Sequence, residues 1–189
     1  MTRLFIIRHG RPKETWGGAD PDPGLDPVGI RQAVEAAVAL LSLPAPQRPI
    51  KVASSPLRRC LETATPLAQA LGVDLEIVPL VGEIPTPAGL AISERGPWLR
   101  RALAGDWSQI DGDLDYDAWR RGVWEAARAR PATAIFSHFV AINALISVIE
   151  NRDQVIGFRP DHASITTLEA EGPDLGLVEL GREALTGVL

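Results

Sequence analysis

The sequence is poor in cysteine and in net positive charge, and each shortage excludes a class of protein. The chain of 189 residues has one cysteine, Cys60, so it cannot form an intrachain disulfide, which fits a reducing compartment. Its net charge of −5 argues against a general nucleic-acid binder, because such proteins neutralise phosphates with a broad basic surface. A local cluster of arginines could still hold a small anionic ligand.

Long apolar runs are also missing. No stretch approaches 18 apolar residues, and the N-terminal LFII meets charge after four positions, too soon for a signal peptide. We therefore expect a cytoplasmic protein with no membrane partner. With 46% hydrophobic residues the chain is not expected to be disordered, and its length predicts a single domain over 1–189. The pattern leaves the oligomeric state open.

The hydrophobic periodicity predicts strands that alternate with helices. The predicted strands are 4–7, 50–55, 73–78, 132–137, 163–170 and 174–180. This alternation implies a mostly parallel central sheet with helices on both faces, an α/β fold built as a three-layer α/β/α sandwich. Ligands bind such sheets at the carboxyl ends of the strands.

Capping residues and prolines indicate where the helices begin. After a loop over 11–27, Asp26 and Pro27 predict the start of a first helix. Ser55 and Pro56 predict the start of a second. Apolar residues recur in the first helix with helical spacing at Ile30, Ala33, Val34, Ala37, Val38 and Leu41.

The stretch 82–131 differs from the rest of the chain in its high tryptophan content. It contains four of the five tryptophans, at positions 98, 107, 119 and 124, in a helical and charged pattern. We interpret it as a short helical cap over the sheet edge. Aromatic residues at helical spacing are usually core, so we expect these side chains mainly to anchor the cap.

Two of the three histidines, His9 and His138, directly follow predicted strands, so both should reach the same edge of the sheet. Arg8 joins that edge, as does the pair Arg58 and Arg59 after the second strand. Guanidinium groups offer planar forks of donors that suit phosphate oxygens. Their charge also disfavours an imidazolium, which lowers the pKa of a nearby histidine and keeps its ring nucleophilic. The pattern predicts a phosphate site, in which a histidine has more than one possible role, covalent attack on a phosphoryl group among them.

Four segments in the same order resemble the histidine phosphatase superfamily, the phosphoglycerate mutase-like proteins. They are RHG at 8–10, PGLDPVGIRQA at 23–33, SSPLRRCLETA at 54–64 and FSH at 136–138. The resemblance implies that His9 is the phosphorylated nucleophile and that Arg8 binds phosphate. It places the second phosphate-binding arginine at Arg59, with Arg58 as a surface residue. It also implies that His138 is the second catalytic histidine, which binds phosphoryl oxygens.

The family also has a general acid after the third strand, and the resemblance places Glu83 of LVGEIP in that role. Such a residue protonates the leaving oxygen and then deprotonates the attacking water, which requires a pKa raised by partial burial. Glu14 and Asp26 are rival carboxylates for this role.

The chain departs from the mutases of this superfamily at two places. Those enzymes continue RHG towards a Trp-Asn pair and follow the acid with Gly-x-Trp-Glu-Gly, whereas this chain has Arg11 and Pro12, and then IPTPAGL. The resemblance therefore implies a metal-independent phosphatase, without a cofactor, that acts on small phosphorylated molecules. A mutase, a protein phosphohistidine or phosphoprotein phosphatase, and an inactive phosphate-binding module remain alternatives.

Three further residues lie near these motifs, and none of them is assigned a catalytic role. Phe139 stands where many relatives have glycine, which would narrow the pocket. His162 stands where the family often has asparagine, and we interpret it as structural. Cys60 is interpreted as a packing residue, with the minor hypothesis that the neighbouring arginines favour its thiolate.

Overall fold

The computed structural model describes residues 2–14 and 20–184, and within them the chain forms one six-stranded sheet flanked by five α-helices. The strands are β1 Thr2–Arg8, β2 Lys51–Ser54, β3 Leu75–Ile77, β4 Thr133–Ser137, β5 Ile165–Glu171 and β6 Asp174–Glu179. The helices are α1 Pro27–Leu41, α2 Arg58–Leu71, α3 Ile92–Ala104, α4 Tyr116–Arg128 and α5 Phe139–Ile149. Of the predicted loop over 11–27, residues 15–19 lie outside the described residues.

The strands lie in the order β3-β2-β4-β1-β5-β6. The first four are mutually parallel, whereas β5 pairs antiparallel with β1 and β6 antiparallel with β5. The prediction of a mostly parallel sheet is confirmed, with an antiparallel hairpin at one edge. Because β2, β4 and β1 are parallel neighbours, their carboxyl ends lie side by side, and this end of the strands is the sheet edge at which the histidines were predicted to meet.

Strand β1 shows why the sheet is covered on both faces. Its residues alternate between two buried clusters. Phe5 and Ile7 belong to the cluster that includes side chains of α1 and α2, and Leu4 and Ile6 to the cluster that includes side chains of α3, α4 and α5. Successive side chains of a strand point to opposite faces of the sheet, so a strand in which all of them are buried must be covered on both faces. The three-layer α/β/α sandwich is thus confirmed.

Helix α1 begins where the sequence predicts, but only the small residues of its apolar stripe are buried. Asp26 caps it, because the Asp26 Oδ1 accepts a hydrogen bond of 2.7 Å from the Gly29 N–H. The side chains of Ile30, Val34 and Val38, however, are 54%, 49% and 57% exposed. The buried face is instead made mostly of small residues, Gly29, Ala33, Ala36, Ala37 and Leu40.

The reason is how closely α1 approaches the segment after β1. A Cβ atom added to Gly10 would lie 2.6 Å from the Gly29 carbonyl oxygen, and one added to Gly29 would lie 2.1 Å from that of Arg11. Only small residues fit such a contact. Of the residues with helical apolar spacing, Ala33 and Ala37 are therefore buried, whereas the larger Ile30, Val34 and Val38 are not.

The prediction that Ser55 and Pro56 begin the second helix is wrong. Helix α2 begins at Arg58, and its N-cap position is occupied by Leu57, which has no side chain able to cap. The Ser55 hydroxyl is instead 2.8 Å from Nε2 of His138. The serine is used at the sheet edge rather than at the helix terminus.

The tryptophan-rich stretch contributes helices α3 and α4, and α4 packs against α5. Trp98 and Trp107 are buried, and their cluster includes residues of the central sheet, so the expectation that they are core is confirmed. The boundaries of a cap at 82–131 stay a prediction. Among the helices of the described residues, none is both long enough and apolar enough to cross a membrane.

Candidate active site

The two histidines that follow β1 and β4 lie side by side. The parallel register pairs Arg8 with Ser137, and the His9 N–H donates a hydrogen bond of 3.0 Å to the Ser137 carbonyl oxygen. The ring centroids of His9 and His138 are consequently 5.2 Å apart. Both residues are buried, with 5% and 0% of their surface exposed. The predicted meeting of these histidines at one sheet edge is confirmed.

A carbonyl group selects the tautomer of His9. Nδ1 of the ring is 2.8 Å from the carbonyl oxygen of Gly10. A carbonyl can only accept, so Nδ1 carries the proton when the ring is neutral, and the lone pair is on Nε2. This contact leaves Nε2 as the nitrogen that can act as a nucleophile.

The surroundings of His9 and His138 keep both rings neutral. Burial lowers the pKa of each well below its usual value, and the guanidinium groups of Arg59 and Arg8 lower it further. The sequence predicted the contribution of the arginines but not that burial would be the larger cause. A neutral ring is the form that can attack an electrophile.

Arg59, rather than Arg58, belongs to this site. The Arg59 Nη2 donates a hydrogen bond of 3.1 Å to Nδ1 of His138, and the residue is 6% exposed. The side chain of Arg58 is 55% exposed and pairs with Glu62 at 2.8 Å. Because guanidinium can only donate, the Nδ1 atom of His138 is the acceptor. The ring proton of His138 is then on Nε2, which donates to Ser55 Oγ.

Arg8 is the second arginine of the site and is 3% exposed. Its Nη1 donates a hydrogen bond of 2.9 Å to the carbonyl oxygen of Pro160, and its Cζ lies 5.2 Å from the centroid of the Phe139 ring. Burial lowers the pKa of Arg8 to about 10, which leaves the group charged at neutral pH. Phe139 therefore packs against the predicted phosphate-binding residue itself.

Glu83 reaches the same cluster from the loop that follows β3. Its Oε2 is 3.9 Å from Nδ1 of His138, and its Oε1 accepts a hydrogen bond of 3.0 Å from the Ile84 N–H. The side chain is 16% exposed. Burial raises the pKa of Glu83, and this effect outweighs the opposing charge of Arg59. A carboxyl with a raised pKa in such a site can act as a general acid.

The two rival carboxylates have other partners. Asp26 caps α1 and also accepts a hydrogen bond of 2.5 Å from Nε of Arg11. Glu14 is exposed and accepts a hydrogen bond from the Asp20 N–H. Of the three carboxylates, Glu83 is the one that contacts His138.

Cys60 lies within the cluster but is not activated there. Its Sγ is 3.3 Å from Nε2 of His138 and 3.4 Å from the Ser137 carbonyl oxygen. Burial raises the pKa of the Cys60 thiol, and this outweighs the opposing charge of Arg59. The hypothesis of a favoured thiolate is therefore wrong, since desolvation dominates over the arginine.

Thr63 connects α2 to the segment that carries His9, a role that the sequence analysis missed. Its hydroxyl donates a hydrogen bond of 2.6 Å to the Arg59 carbonyl oxygen and accepts one of 2.9 Å from the Gly10 N–H. The carbonyl oxygen of Gly10 in turn accepts the hydrogen bond from His9 Nδ1. A helical threonine one turn after a site arginine is the only signal that the sequence offers for this contact.

Replacing Thr63 by valine should lower the free energy of unfolding by about 1–3 kcal/mol, because the buried Gly10 N–H loses its acceptor. Urea denaturation measures the change. Thr65→Val is the matched control, since Thr65 makes the same bond to the carbonyl oxygen four residues earlier but is exposed. Equal losses in the two variants would show that the contact with Gly10 contributes nothing.

A third histidine, His162, also lies at the site. Its ring centroid is 5.8 Å from that of His9, and the residue is 6% exposed. It belongs to the loop before β5, whose Pro160 accepts the hydrogen bond from Arg8. The structure thus brings together His9, His138, Arg8, Arg59 and Glu83, the five residues that the sequence indicated, and adds Ser55, Thr63 and His162.

Comparison with known proteins gives a family and a set of similar folds. A family model described as the histidine phosphatase superfamily (branch 1) matches residues 4–182. The structure of phosphoserine phosphatase from Entamoeba histolytica with 3-phosphoglyceric acid superposes with a TM-score of 0.75, at 22% identity over 98% of each chain. That of mycobacterial glucosyl-3-phosphoglycerate phosphatase with inorganic phosphate has a TM-score of 0.73, at 23% identity over 99% of this chain and 100% of that chain. These likenesses confirm a phosphoglycerate mutase-like fold.

A curated protein also matches part of the chain. The transcription factor tau 55 kDa subunit of Saccharomyces cerevisiae is 37% identical in an alignment 111 residues long, and the match covers 49% of this chain and 25% of that protein. The match therefore spans a quarter of the length of that relative.

Proposed function

Because the chain belongs to the histidine phosphatase superfamily, we propose that it is a metal-independent phosphatase that hydrolyses phosphomonoesters of small molecules through a phosphohistidine on His9. One observation carries the proposal: the proton of His9 Nδ1 is held by Gly10, so that Nε2 is free in a buried site that also contains two arginines. A neutral nucleophile beside fixed positive charge suits attack on a phosphate ester.

In the first step, His9 Nε2 attacks phosphorus and forms a P–N bond while the bond from phosphorus to the ester oxygen breaks. The leaving oxygen takes a proton from Glu83, whose raised pKa keeps that proton available. The guanidinium groups of Arg8 and Arg59 balance the negative charge on the phosphoryl oxygens. His138, which is hydrogen-bonded to Arg59, completes this anion-binding pocket.

In the second step, Glu83 is a carboxylate and accepts a proton from water as the water attacks phosphorus. The P–N bond breaks, inorganic phosphate leaves and the lone pair returns to His9 Nε2. The reaction thus regenerates both the neutral ring and the protonated Glu83 without another co-reactant.

Two observations support hydrolysis of small molecules over the alternatives. The residues after RHG, Arg11 and Pro12, differ from the mutase pattern, and Arg11 is paired with Asp26. The structures described above belong to enzymes named for small phosphorylated substrates, phosphoserine and glucosyl-3-phosphoglycerate.

The test is release of inorganic phosphate from para-nitrophenyl phosphate and from a panel of phosphorylated metabolites, all with excess chelator. We expect turnover that the chelator does not reduce. Conversion of 3-phosphoglycerate to its 2-isomer without phosphate release would show a mutase, and preference for a phosphopeptide would show a protein phosphatase. Phosphate binding without turnover of any substrate would show an inactive module, and loss of turnover in chelator would show a metal enzyme.

A further inference from the structure

The loop that carries His162 is held firmly against the end of β1. The Ala163 N–H lies 3.1 Å from the Arg8 carbonyl oxygen and 3.2 Å from that of His9, and the Arg8 N–H donates to Ser164. The Arg8 side chain adds its hydrogen bond to Pro160. Ala163 has a φ of 54°, which is unusual for a residue other than glycine and has an energetic cost. These contacts fix where the backbone of His162 lies relative to His9.

The ring of His162 is buried and polar, yet it makes no hydrogen bond within the protein. Only 6% of the surface of His162 is exposed. Across residues 2–14 and 20–184, the one hydrogen bond of His162 is from its backbone N–H to Asp161 Oδ1, so neither ring nitrogen has a partner. Neither ring nitrogen is among those atoms of the described residues that are both fully buried and unpaired, so each remains open to a group that enters the site. A side chain held in this way is suited to a partner that arrives with the substrate.

The distance between the rings indicates which atom that partner is. An oxygen hydrogen-bonded to a ring nitrogen lies about 4 Å from the ring centroid. The centroids of His9 and His162 are 5.8 Å apart, so a single oxygen can be within reach of both rings. A phosphoryl group attached to, or about to join, His9 presents oxygens in this region.

The surroundings of His162 leave its ring neutral, with one N–H that can donate. Arg8 and Arg11 are its positive neighbours, and Asp161 and Asp26 its negative ones. Both carboxylates are engaged elsewhere, Asp161 with Arg182 and Asp26 with Arg11. Burial, together with Arg8, lowers the pKa of His162 to about 4, so the ring is neutral at pH 7 and carries one N–H.

From this geometry we propose that His162 is a phosphate-binding residue, whose ring N–H donates a hydrogen bond to an oxygen of the phosphoryl group held at His9. The inference rests on the proposed function, in which His9 is the nucleophile. It replaces the interpretation of His162 as a structural residue.

Binding of inorganic phosphate, measured by isothermal titration calorimetry, tests this proposal without requiring turnover. In His162→Phe, which keeps the ring volume but has no N–H, and in His162→Ala, the Kd should rise about tenfold, since a hydrogen bond to a charged acceptor is lost. In His162→Asn, whose amide can still donate, the Kd should stay within about threefold of the wild type. In para-nitrophenyl phosphate hydrolysis, the competitive inhibition constant of phosphate should change in parallel.

Arg182→Ala is the control for the stability of the loop. Arg182 is largely exposed and holds Asp161 at 3.1 Å, so its loss disturbs the loop without removing the imidazole. We expect an unchanged Kd for phosphate. An unchanged Kd in the Phe and Ala variants, or equal weakening in all four variants, would overturn the proposal. A wild type that binds phosphate with this dependence on His162, but hydrolyses nothing, would overturn the proposed function alone.

Discussion

Replacing His9 by alanine should abolish hydrolysis of para-nitrophenyl phosphate, with a loss in kcat/KM of at least about 1,000-fold. The variant retains both arginines and His138 but has no nitrogen that can form a bond to phosphorus. Acid-labile, alkali-stable phosphoenzyme, which is the signature of a P–N bond, should accumulate in the wild type after rapid quenching and be missing from the variant.

Two controls separate this loss of chemistry from a loss of structure. Arg58→Ala removes an exposed arginine beside the site and should keep the activity within about twofold, since exposed ion pairs contribute little. Added imidazole should restore part of the turnover of His9→Ala, because it can occupy the space left by the ring. Turnover of His9→Ala equal to that of the wild type would rule out the nucleophile assignment.

Replacing Glu83 by glutamine should lower kcat/KM by about 100- to 10,000-fold for alkyl phosphates, whose leaving oxygen needs a proton. The loss should be less than about tenfold for para-nitrophenyl phosphate, because nitrophenolate leaves without one. The comparison uses kcat/KM because this quantity reports the step that forms the phosphoenzyme. Glutamine keeps the shape of the side chain and an oxygen for the Ile84 N–H.

The pH dependence provides a second readout for Glu83. Burial raises its pKa, so the acid stays protonated to a higher pH than an ordinary glutamate. For alkyl phosphates, kcat/KM of the wild type should therefore fall as the pH rises through this pKa, and Glu83→Gln should lack that decline. Glu14→Gln is the matched control, since Glu14 is exposed. If both substrates lose rate equally in Glu83→Gln, the general acid is another residue.

The prediction of the fold succeeded where the signal was local. Each strand begins and ends within two residues of its predicted bounds, because runs of buried residues and turn signals are properties of short segments. The parallel order of β1 and β4 then placed His9 beside His138. The apolar spacing of α1 did not separate Ala33, which is buried, from Val34, which is 49% exposed, because this difference depends on how closely Gly29 approaches Gly10.

By itself the sequence determined the α/β architecture, the edge of the sheet at which the site lies and the residues that carry its charge. Only the tertiary structure decided that Nε2 of His9 is the free nitrogen, that Ser55 contacts His138 instead of capping a helix, and that His162 reaches His9. The free nitrogen of His9 depends on the direction of the Gly10 carbonyl, and Gly10 is itself held by Thr63, 53 positions away. The other two outcomes depend on contacts between distant parts of the chain, such as that between Ser55 and His138, 83 positions apart. Burial and hydrogen-bond direction arise from such contacts, and no periodicity of the sequence encodes them.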